Sequence, residues 1–181
     1  MNQFLEWSID YASENAYLYD LLKIYPMLSI VDMGKGVCGL MFRNWIRKGT
    51  LGFDVLCLDE FSSSKDDAIL LAPNTDLVDF ARKNFGYKHD KGLDFLARIS
   101  GKYIIGEVKF LYDFTACQAT QFYDAVSVFS AEVNREVIKI AILDGVPFIK
   151  ENNPMYREIT TTYKDCNIMS ALMLRTYLYT I

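Results

Sequence analysis

The segment from residue 92 to residue 110 reads Gly-Leu-Asp-Phe-Leu-Ala-Arg-Ile-Ser-Gly-Lys-Tyr-Ile-Ile-Gly-Glu-Val-Lys-Phe, and it predicts two strands joined by a tight turn. Its two apolar runs, 95–99 and 103–110, are rich in the β-branched and aromatic residues that favour strands. Ser100 and Gly101 lie between the runs and suit a two-residue hairpin loop, because glycine adopts a positive φ without strain. The segment therefore predicts an antiparallel hairpin.

The register of this hairpin brings two acids together. A turn at Ser100 and Gly101 sets Asp94 directly opposite Glu107. Opposed side chains on an antiparallel pair have Cβ atoms about 4.5–5.5 Å apart. Two partly buried carboxylates at that distance repel each other, and a bound divalent cation relieves the repulsion. Lys109 lies two residues beyond Glu107 and shares its face, so the hairpin predicts a cluster of two acids and one ammonium.

The same three side chains have a second interpretation that involves no catalysis. Surface hairpins often carry acids and lysines on their exposed face, and a buried pair of Lys109 and Glu107 could be purely structural. Two features favour a functional site. Ile-Ile-Gly directly precedes Glu107 and Phe-Leu follows Lys109, so the charges lie in strongly apolar strands. The hairpin register also brings the acids together independently of any motif.

At these residues the chain resembles a known family. Asp94 followed by Glu107-Val108-Lys109 is similar to the core motif of the PD-(D/E)XK nucleases. The longer segments 91–95 and 106–110, with Gln118 and Gln121 downstream, resemble the type II restriction endonuclease branch. Two departures are a leucine at position 93, where the family has a nominal proline, and Thr-Ala-Cys at 115–117 in place of a glycine-rich turn.

The resemblance implies an α/β (α+β) fold with a restriction-endonuclease-like mixed β-sheet core (αβββαβ) flanked by helices, in a single nuclease-like domain over residues 1–181. It also implies a Mg²⁺-dependent type II restriction endonuclease that cuts double-stranded DNA at a specific sequence. The alternatives left open are another nuclease of this fold, acting on branched or damaged DNA, and a non-catalytic DNA- or protein-binding module that retains the hairpin.

The resemblance assigns catalytic roles to Asp94, Glu107 and Lys109. Asp94 and Glu107 would ligate Mg²⁺ together with the backbone carbonyl of Val108, since Mg²⁺ prefers oxygen ligands. Lys109 would orient the attacking water or stabilise the developing charge. No nucleotide cofactor is expected. A duplex cut on both strands needs two such sites, so a homodimer is expected.

Contacts with DNA must rest on local groups, because the formal net charge of −4 gives no general attraction to nucleic acid. The densest basic segment, 82–91, leads directly to Asp94, although a solvated run of charges would look the same. The candidate DNA-binding residues are Arg43, Arg47, Arg82, Lys83, Lys88, Lys91, Gln118 and Gln121.

Composition excludes several classes of protein. A chain of 181 residues with 51% hydrophobic and 14% aromatic content is not disordered and can bury a sizeable core. The four cysteines form no CxxC pair, so neither a zinc site nor a disulfide framework is indicated. The glycines at 34–39 lack the spacing of a phosphate-binding loop. With no apolar run of about 18 residues and no signal peptide expected, the sequence predicts no membrane segment. The cysteine pattern fits reduced thiols in a cytosolic protein, and the family resemblance implies a cytoplasmic bacterial or archaeal protein.

Periodicity predicts the remaining elements. Helices are expected at 3–22, which either cover the core or form a dimer surface, and at 37–48, 53–61, 74–85, 118–131 and 167–179. Asn74 or Thr75 is expected to cap the helix that begins there, and Gly86 to end it. Strands are expected at 68–72 and 137–143, the latter parallel to the second hairpin strand because a crossover helix separates them.

Overall fold

The computed structural model describes residues 1–14, 37–89, 91–150 and 152–181, with the backbone alone for residues 37–41. Its helices are α1 (Gln3–Glu14), α2 (Val37–Arg47), α3 (Leu58–Ser63), α4 (Asn74–Phe85), α5 (Ala116–Val126), α6 (Pro154–Thr160) and α7 (Ala171–Leu178). Its strands are β1 (Asp54–Leu56), β2 (Ala68–Leu70), β3 (Phe95–Ile99), β4 (Lys102–Leu111), β5 (Ile138–Gly145) and β6 (Ile168–Met169). Short 3₁₀ turns occupy Ser127–Ser130 and Val146–Phe148.

The six strands form one mixed sheet in which the spatial order follows the chain order. β3 is antiparallel to both β2 and β4, whereas β4, β5 and β6 are parallel to one another and β1 is parallel to β2. The crossover between β4 and β5 contains α5, as a parallel pair requires. The predicted mixed sheet flanked by helices is therefore confirmed, and β1 and β6 extend it at its two edges.

The hairpin has the predicted register. Ile99 pairs with Lys102, and the ladder continues to the pair of Phe95 and Gly106. Ser100 and Gly101 have φ values of 50° and 73°, so both central residues of the turn are left-handed, as a type I′ hairpin turn requires. Asp94 lies just outside the strand, and its backbone N–H donates to the carbonyl of Gly106 at 3.0 Å.

The side chains of β4 alternate between two buried faces, as expected of a central strand. On one face, Ile104 and Val108 pack in an apolar cluster with α2 and α7. On the other face, Ile105 joins a cluster with α4, and Leu111 joins a cluster with α5. Glu107 and Lys109 lie on this same face, between these two apolar side chains.

Two predicted helices are wrong in part. The segment 53–61 was expected to be helical, but it contains β1 and the start of α3 at Leu58. The helix expected at 167–179 begins only at Ala171, because Ile168 and Met169 form β6 and pair with β5. Both of these residues are fully buried, so strand pairing outweighs the helical spacing of the sequence here. The α5 helix also ends earlier than expected and continues as the first 3₁₀ turn.

The start of α4 differs from the prediction in a way that matters for function. Its N-cap is Pro73, and neither Asn74 nor Thr75 caps the helix with its side chain. The end of α4 is as predicted, with Gly86 at φ 64° in the left-handed conformation. In the expected helix at 3–22, residues 3–14 are helical as α1, and 15–22 lie outside the described residues, as does the first half of the glycine-rich segment 34–39.

No helix among the described ranges is long and apolar enough to cross a membrane.

Candidate active site

The hairpin brings Asp94, Glu107 and Lys109 together. The ammonium nitrogen of Lys109 lies 3.6 Å from Asp94 Oδ2 and 3.1 Å from Glu107 Oε2, so it bridges the two carboxylates. Both acids are buried, with Asp94 7% exposed and Glu107 4% exposed. Charged groups are rarely this buried unless they are paired or functional. The cluster that the sequence predicted is therefore present in the fold.

Both carboxylate oxygens of Asp94 accept hydrogen bonds. Oδ2 accepts from the backbone N–H of Val108 at 3.2 Å, and Oδ1 accepts from the side-chain amide of Asn74 at 2.6 Å. The first contact comes from the neighbouring strand and the second from the beginning of α4. These bonds hold the Asp94 carboxylate in one orientation at the end of β3.

Glu107 is held on one side only. Its Oε2 accepts a hydrogen bond from Lys109, but its Oε1 is buried and has no hydrogen-bond partner among the described residues. The pKa of Glu107 is raised to about 8, chiefly by burial and in part by the nearby charge of Asp94, while Lys109 opposes the rise. A buried carboxylate oxygen without a partner is costly, and such an atom calls for a ligand or ion.

The residues present fit a Mg²⁺ ion. Within the described ranges, no group of three or more His, Cys, Asp and Glu side chains is placed to hold a metal ion. This site offers two carboxylates, those of Asp94 and Glu107. Mg²⁺ commonly binds through one or two carboxylates and completes its shell with water and substrate phosphate. The unpaired Oε1 of Glu107, close to a second carboxylate, matches that requirement.

Sequence analysis missed the part that Asn74 plays. Its amide oxygen accepts a hydrogen bond from Arg43 Nη1 of α2, while its amide nitrogen donates to Asp94. The structure thus connects Arg43, a predicted DNA-binding residue, to the acidic cluster through Asn74. The local sequence carries no signal of these contacts, because both partners are distant in the chain.

Tyr87 is a second residue that the sequence did not single out. Its hydroxyl is buried and, like Glu107 Oε1, has no hydrogen-bond partner among the described residues. Burial raises the pKa of Tyr87, and the negative charge of Glu107 raises it further. The phenol therefore remains protonated and adds a polar group to the surroundings of Glu107.

Several predicted DNA-binding residues surround an open surface depression beside Tyr87. Arg82, Lys88 and Lys91 line it, together with His89. Each of the three basic side chains is exposed and lies near an acid: Arg82 is 3.6 Å from Asp79, Lys88 is 3.8 Å from Glu132, and Lys91 is 2.9 Å from Asp124. Exposed ion pairs of this kind contribute little to stability, so these cations remain accessible to other anions.

The other predicted DNA-binding residues lie in different settings. Arg47 is exposed on α2 and donates to Asn44, and Lys83 is exposed on α4. Gln118 is 1% exposed, and its side-chain oxygen accepts from the backbone N–H of Tyr112 at 3.3 Å. Gln118 thus ties the end of β4 to α5. Gln121 is half-buried and lies 3.9 Å from the thiol of Cys117.

Comparison with known proteins gives one result. No curated protein and no solved structure matches the chain. The family model of the Tsp45I type II restriction enzyme matches residues 32–181, which is most of the chain and includes the whole acidic cluster. The resemblance to type II restriction endonucleases is confirmed by this match. The chain therefore belongs to the Tsp45I type II restriction enzyme family.

Proposed function

We propose that this protein is a Mg²⁺-dependent, site-specific endonuclease that hydrolyses phosphodiester bonds in double-stranded DNA. Membership in a restriction enzyme family supports a nuclease that acts on DNA. One observation carries the proposal. Lys109 Nζ lies 3.6 Å from Asp94 Oδ2 and 3.1 Å from Glu107 Oε2, and both of these carboxylates are buried. Two carboxylates and an ammonium in this arrangement suit phosphodiester hydrolysis.

Asp94 and Glu107 would hold the Mg²⁺ ion, with the backbone carbonyl of Val108 as a further oxygen ligand. Glu107 Oε1 is buried and has no hydrogen-bond partner among the described side chains and backbone groups, so a bound ion would supply the partner that this oxygen lacks. When bound, Mg²⁺ polarises the scissile phosphate and lowers the pKa of a coordinated water molecule.

Lys109 is the proposed positioning group for the nucleophile. Its ammonium would donate a hydrogen bond to the attacking water or to a phosphate oxygen on which negative charge develops. Asp94 is held by Val108 N–H and by the amide of Asn74, so its orientation is set before substrate binds. Preorganisation of this kind removes an entropic cost from the reaction.

The exposed cations around the surface depression are the proposed contacts for DNA phosphates. Arg82, Lys88 and Lys91 are accessible, and the depression that they line reaches Tyr87, whose hydroxyl lies in the electrostatic range of Glu107. Phosphate contacts position DNA without reading its sequence. Cleavage of both strands at one target requires two such sites, which supports a homodimer.

Incubation of the purified protein with phage DNA and Mg²⁺, followed by sequencing of the product ends, tests this function. We expect discrete fragments whose ends share one sequence, and no fragments in the presence of a chelator. Cleavage restricted to branched or damaged DNA would replace this proposal with a repair-type nuclease. An absence of both cleavage and divalent-cation binding would favour a non-catalytic DNA-binding module.

A further inference from the structure

We propose that Asn74 is a positioning residue that orients the Asp94 carboxylate for cation binding, and that Arg43 acts through Asn74 by fixing the direction of its amide. This inference rests on the proposed function, because it assigns the supporting contacts of the same acidic cluster. The contacts run across three elements of the fold: Arg43 lies in α2, Asn74 begins α4 and Asp94 precedes β3.

The direction of each hydrogen bond follows from the chemistry of the three groups. A guanidinium only donates hydrogen bonds and an ionised carboxylate only accepts them, whereas an amide has one side of each kind. Arg43 Nη1 donates to Asn74 Oδ1, which leaves the NH₂ group of Asn74 to donate to Asp94 Oδ1 at 2.6 Å. Arg43 therefore selects one of the two possible orientations of the amide.

In this relay, Arg43 donates to Asn74 and Asn74 donates to Asp94, so the Asp94 carboxylate is held in place while its negative charge is kept. A carboxylate oxygen can accept more than one hydrogen bond, so the single bond from Asn74 leaves Asp94 Oδ1 with acceptor capacity for a ligand. The neutral amide separates the charge of Arg43 from Asp94, so Arg43 adds no second direct ion pair to the one that Lys109 makes with Asp94. This arrangement differs from that of Lys109, whose ammonium lies directly between the two carboxylates.

The position of Asn74 in its helix is consistent with this role. Asn is favoured as an N-cap, where its side chain bonds to the backbone of its own helix. Here Pro73 is the N-cap and no side-chain cap bond forms. The Asn74 side chain instead bonds to two residues that are 31 and 20 positions away in the sequence.

A double-mutant cycle measures the relay. Asn74→Leu removes both hydrogen bonds and keeps the branching of the side chain at Cγ. Asn74→Ser, which is too short to reach both partners, is a second variant in case the larger leucine is not tolerated. Arg43→Met removes the guanidinium. Thr75→Ala is the matched control, because Thr75 is exposed on the same helical turn and its hydroxyl donates to the adjacent Asp76. Thermal unfolding of each metal-free protein checks that the fold is retained.

The readout is the Mn²⁺ dissociation constant from isothermal titration calorimetry, together with kcat and KM for DNA cleavage. We expect Asn74→Leu to weaken Mn²⁺ binding by about 10-fold or more and to lower kcat at unchanged KM, because groups that orient metal ligands contribute on this scale. Arg43→Met should lower kcat in the wild-type background and have no further effect in the Asn74→Leu background, as two members of one network do.

Unchanged Mn²⁺ affinity in folded Asn74→Leu or Asn74→Ser protein would overturn the inference. An equal effect of Arg43→Met in both backgrounds, seen as a raised KM for DNA, would overturn the relay and assign Arg43 to phosphate contact instead. Failure of the proposed function gives a different result, since the wild-type protein would then bind no Mn²⁺ at this site.

Discussion

The Lys109 ammonium donates to Glu107 Oε2 at 3.1 Å, and this ion pair satisfies only one of the two carboxylate oxygens of Glu107. The other oxygen is buried and has no hydrogen-bond partner in the part of the chain that the structure describes. A structural salt bridge that is this buried would be expected to have both oxygens satisfied. The half-satisfied pair therefore favours a ligand-binding role over a purely structural one.

The stability of the metal-free protein should fall as the pH rises from about 4.5 to about 8. Burial raises the pKa of Glu107 from 4.5 to about 8, so the folded state retains a proton that the unfolded state has lost in this range. Because the folded state binds more protons there, unfolding becomes easier with rising pH. Urea denaturation in the presence of a chelator, at pH 5 to 9, measures the trend.

Glu107→Gln is the control for this pH dependence. The glutamine cannot ionise, so the part of the decrease that lies between about pH 6 and 8 should disappear. A smaller decrease at lower pH should remain, because burial raises the pKa of Asp144 to about 6, while hydrogen bonds from Ser170 and Ala171 oppose the rise. The same slope above pH 6 in both proteins would contradict the assignment of Glu107.

Tyr87→Phe should leave the stability of the metal-free protein unchanged or raise it by up to about 1 kcal/mol. The Tyr87 hydroxyl is buried without a hydrogen-bond partner among the described residues, so its removal loses no bond and relieves a desolvation cost. Chemical denaturation of the two proteins in chelator measures the difference. A loss of more than about 1 kcal/mol would show that the hydroxyl makes a stabilising bond in the metal-free state.

Gly106→Ala should destabilise the protein by about 1–3 kcal/mol, because the added methyl group overpacks the β4–β5 pair. A Cβ at this position would lie 2.6 Å from Ile140 Cγ1 and 3.0 Å from the Ile140 carbonyl oxygen. Gly92→Ala is the matched control, since its Cβ would come no closer than 3.8 Å to Asn74. Equal midpoints of denaturation in the two variants would contradict this view of the packing beside Glu107.

Replacement of Arg82 and Lys91 with alanine should weaken DNA binding and reduce its dependence on salt. Each lost phosphate contact should lower the slope of log K against log salt concentration by about 1. Lys102→Ala is the control, because Lys102 is exposed in the hairpin at the opposite end from Asp94 and Glu107. Fluorescence anisotropy at several salt concentrations measures the slopes, and identical slopes in all proteins would remove these residues from the DNA-binding surface.

The hairpin could be predicted from sequence because the residues that determine its turn and its strand pairing lie close together in the chain. The turn at Ser100 and Gly101 sets every pair of the ladder, so the meeting of Asp94 with Glu107 followed from counting residues. The parallel pairing of β4 and β5 was also predictable, because a helix lies between these two strands.

The parts of the site that could not be predicted depend on contacts between distant segments. The local pattern around Asn74 indicates a helix cap, and only the packing of α2 and α4 near β3 gives its side chain two other partners. Tyr87 lies in a basic segment whose pattern carries no sign that its hydroxyl is buried. Ile168 and Met169 fit a helical spacing, but they form β6 because they pair with the edge of β5, which the local sequence does not show.

The rate of Mg²⁺-dependent cleavage of phage DNA by Glu107→Gln, measured beside the wild-type protein, tests the central claim most directly. Glutamine keeps the size of the side chain and removes its charge, and the metal-free fold is checked by thermal unfolding. We expect the rate to fall by at least about 10²-fold, as is typical when a group that stabilises the transition state is lost. Cleavage at the wild-type rate by the folded variant would contradict the assignment of Asp94, Glu107 and Lys109 as the active site.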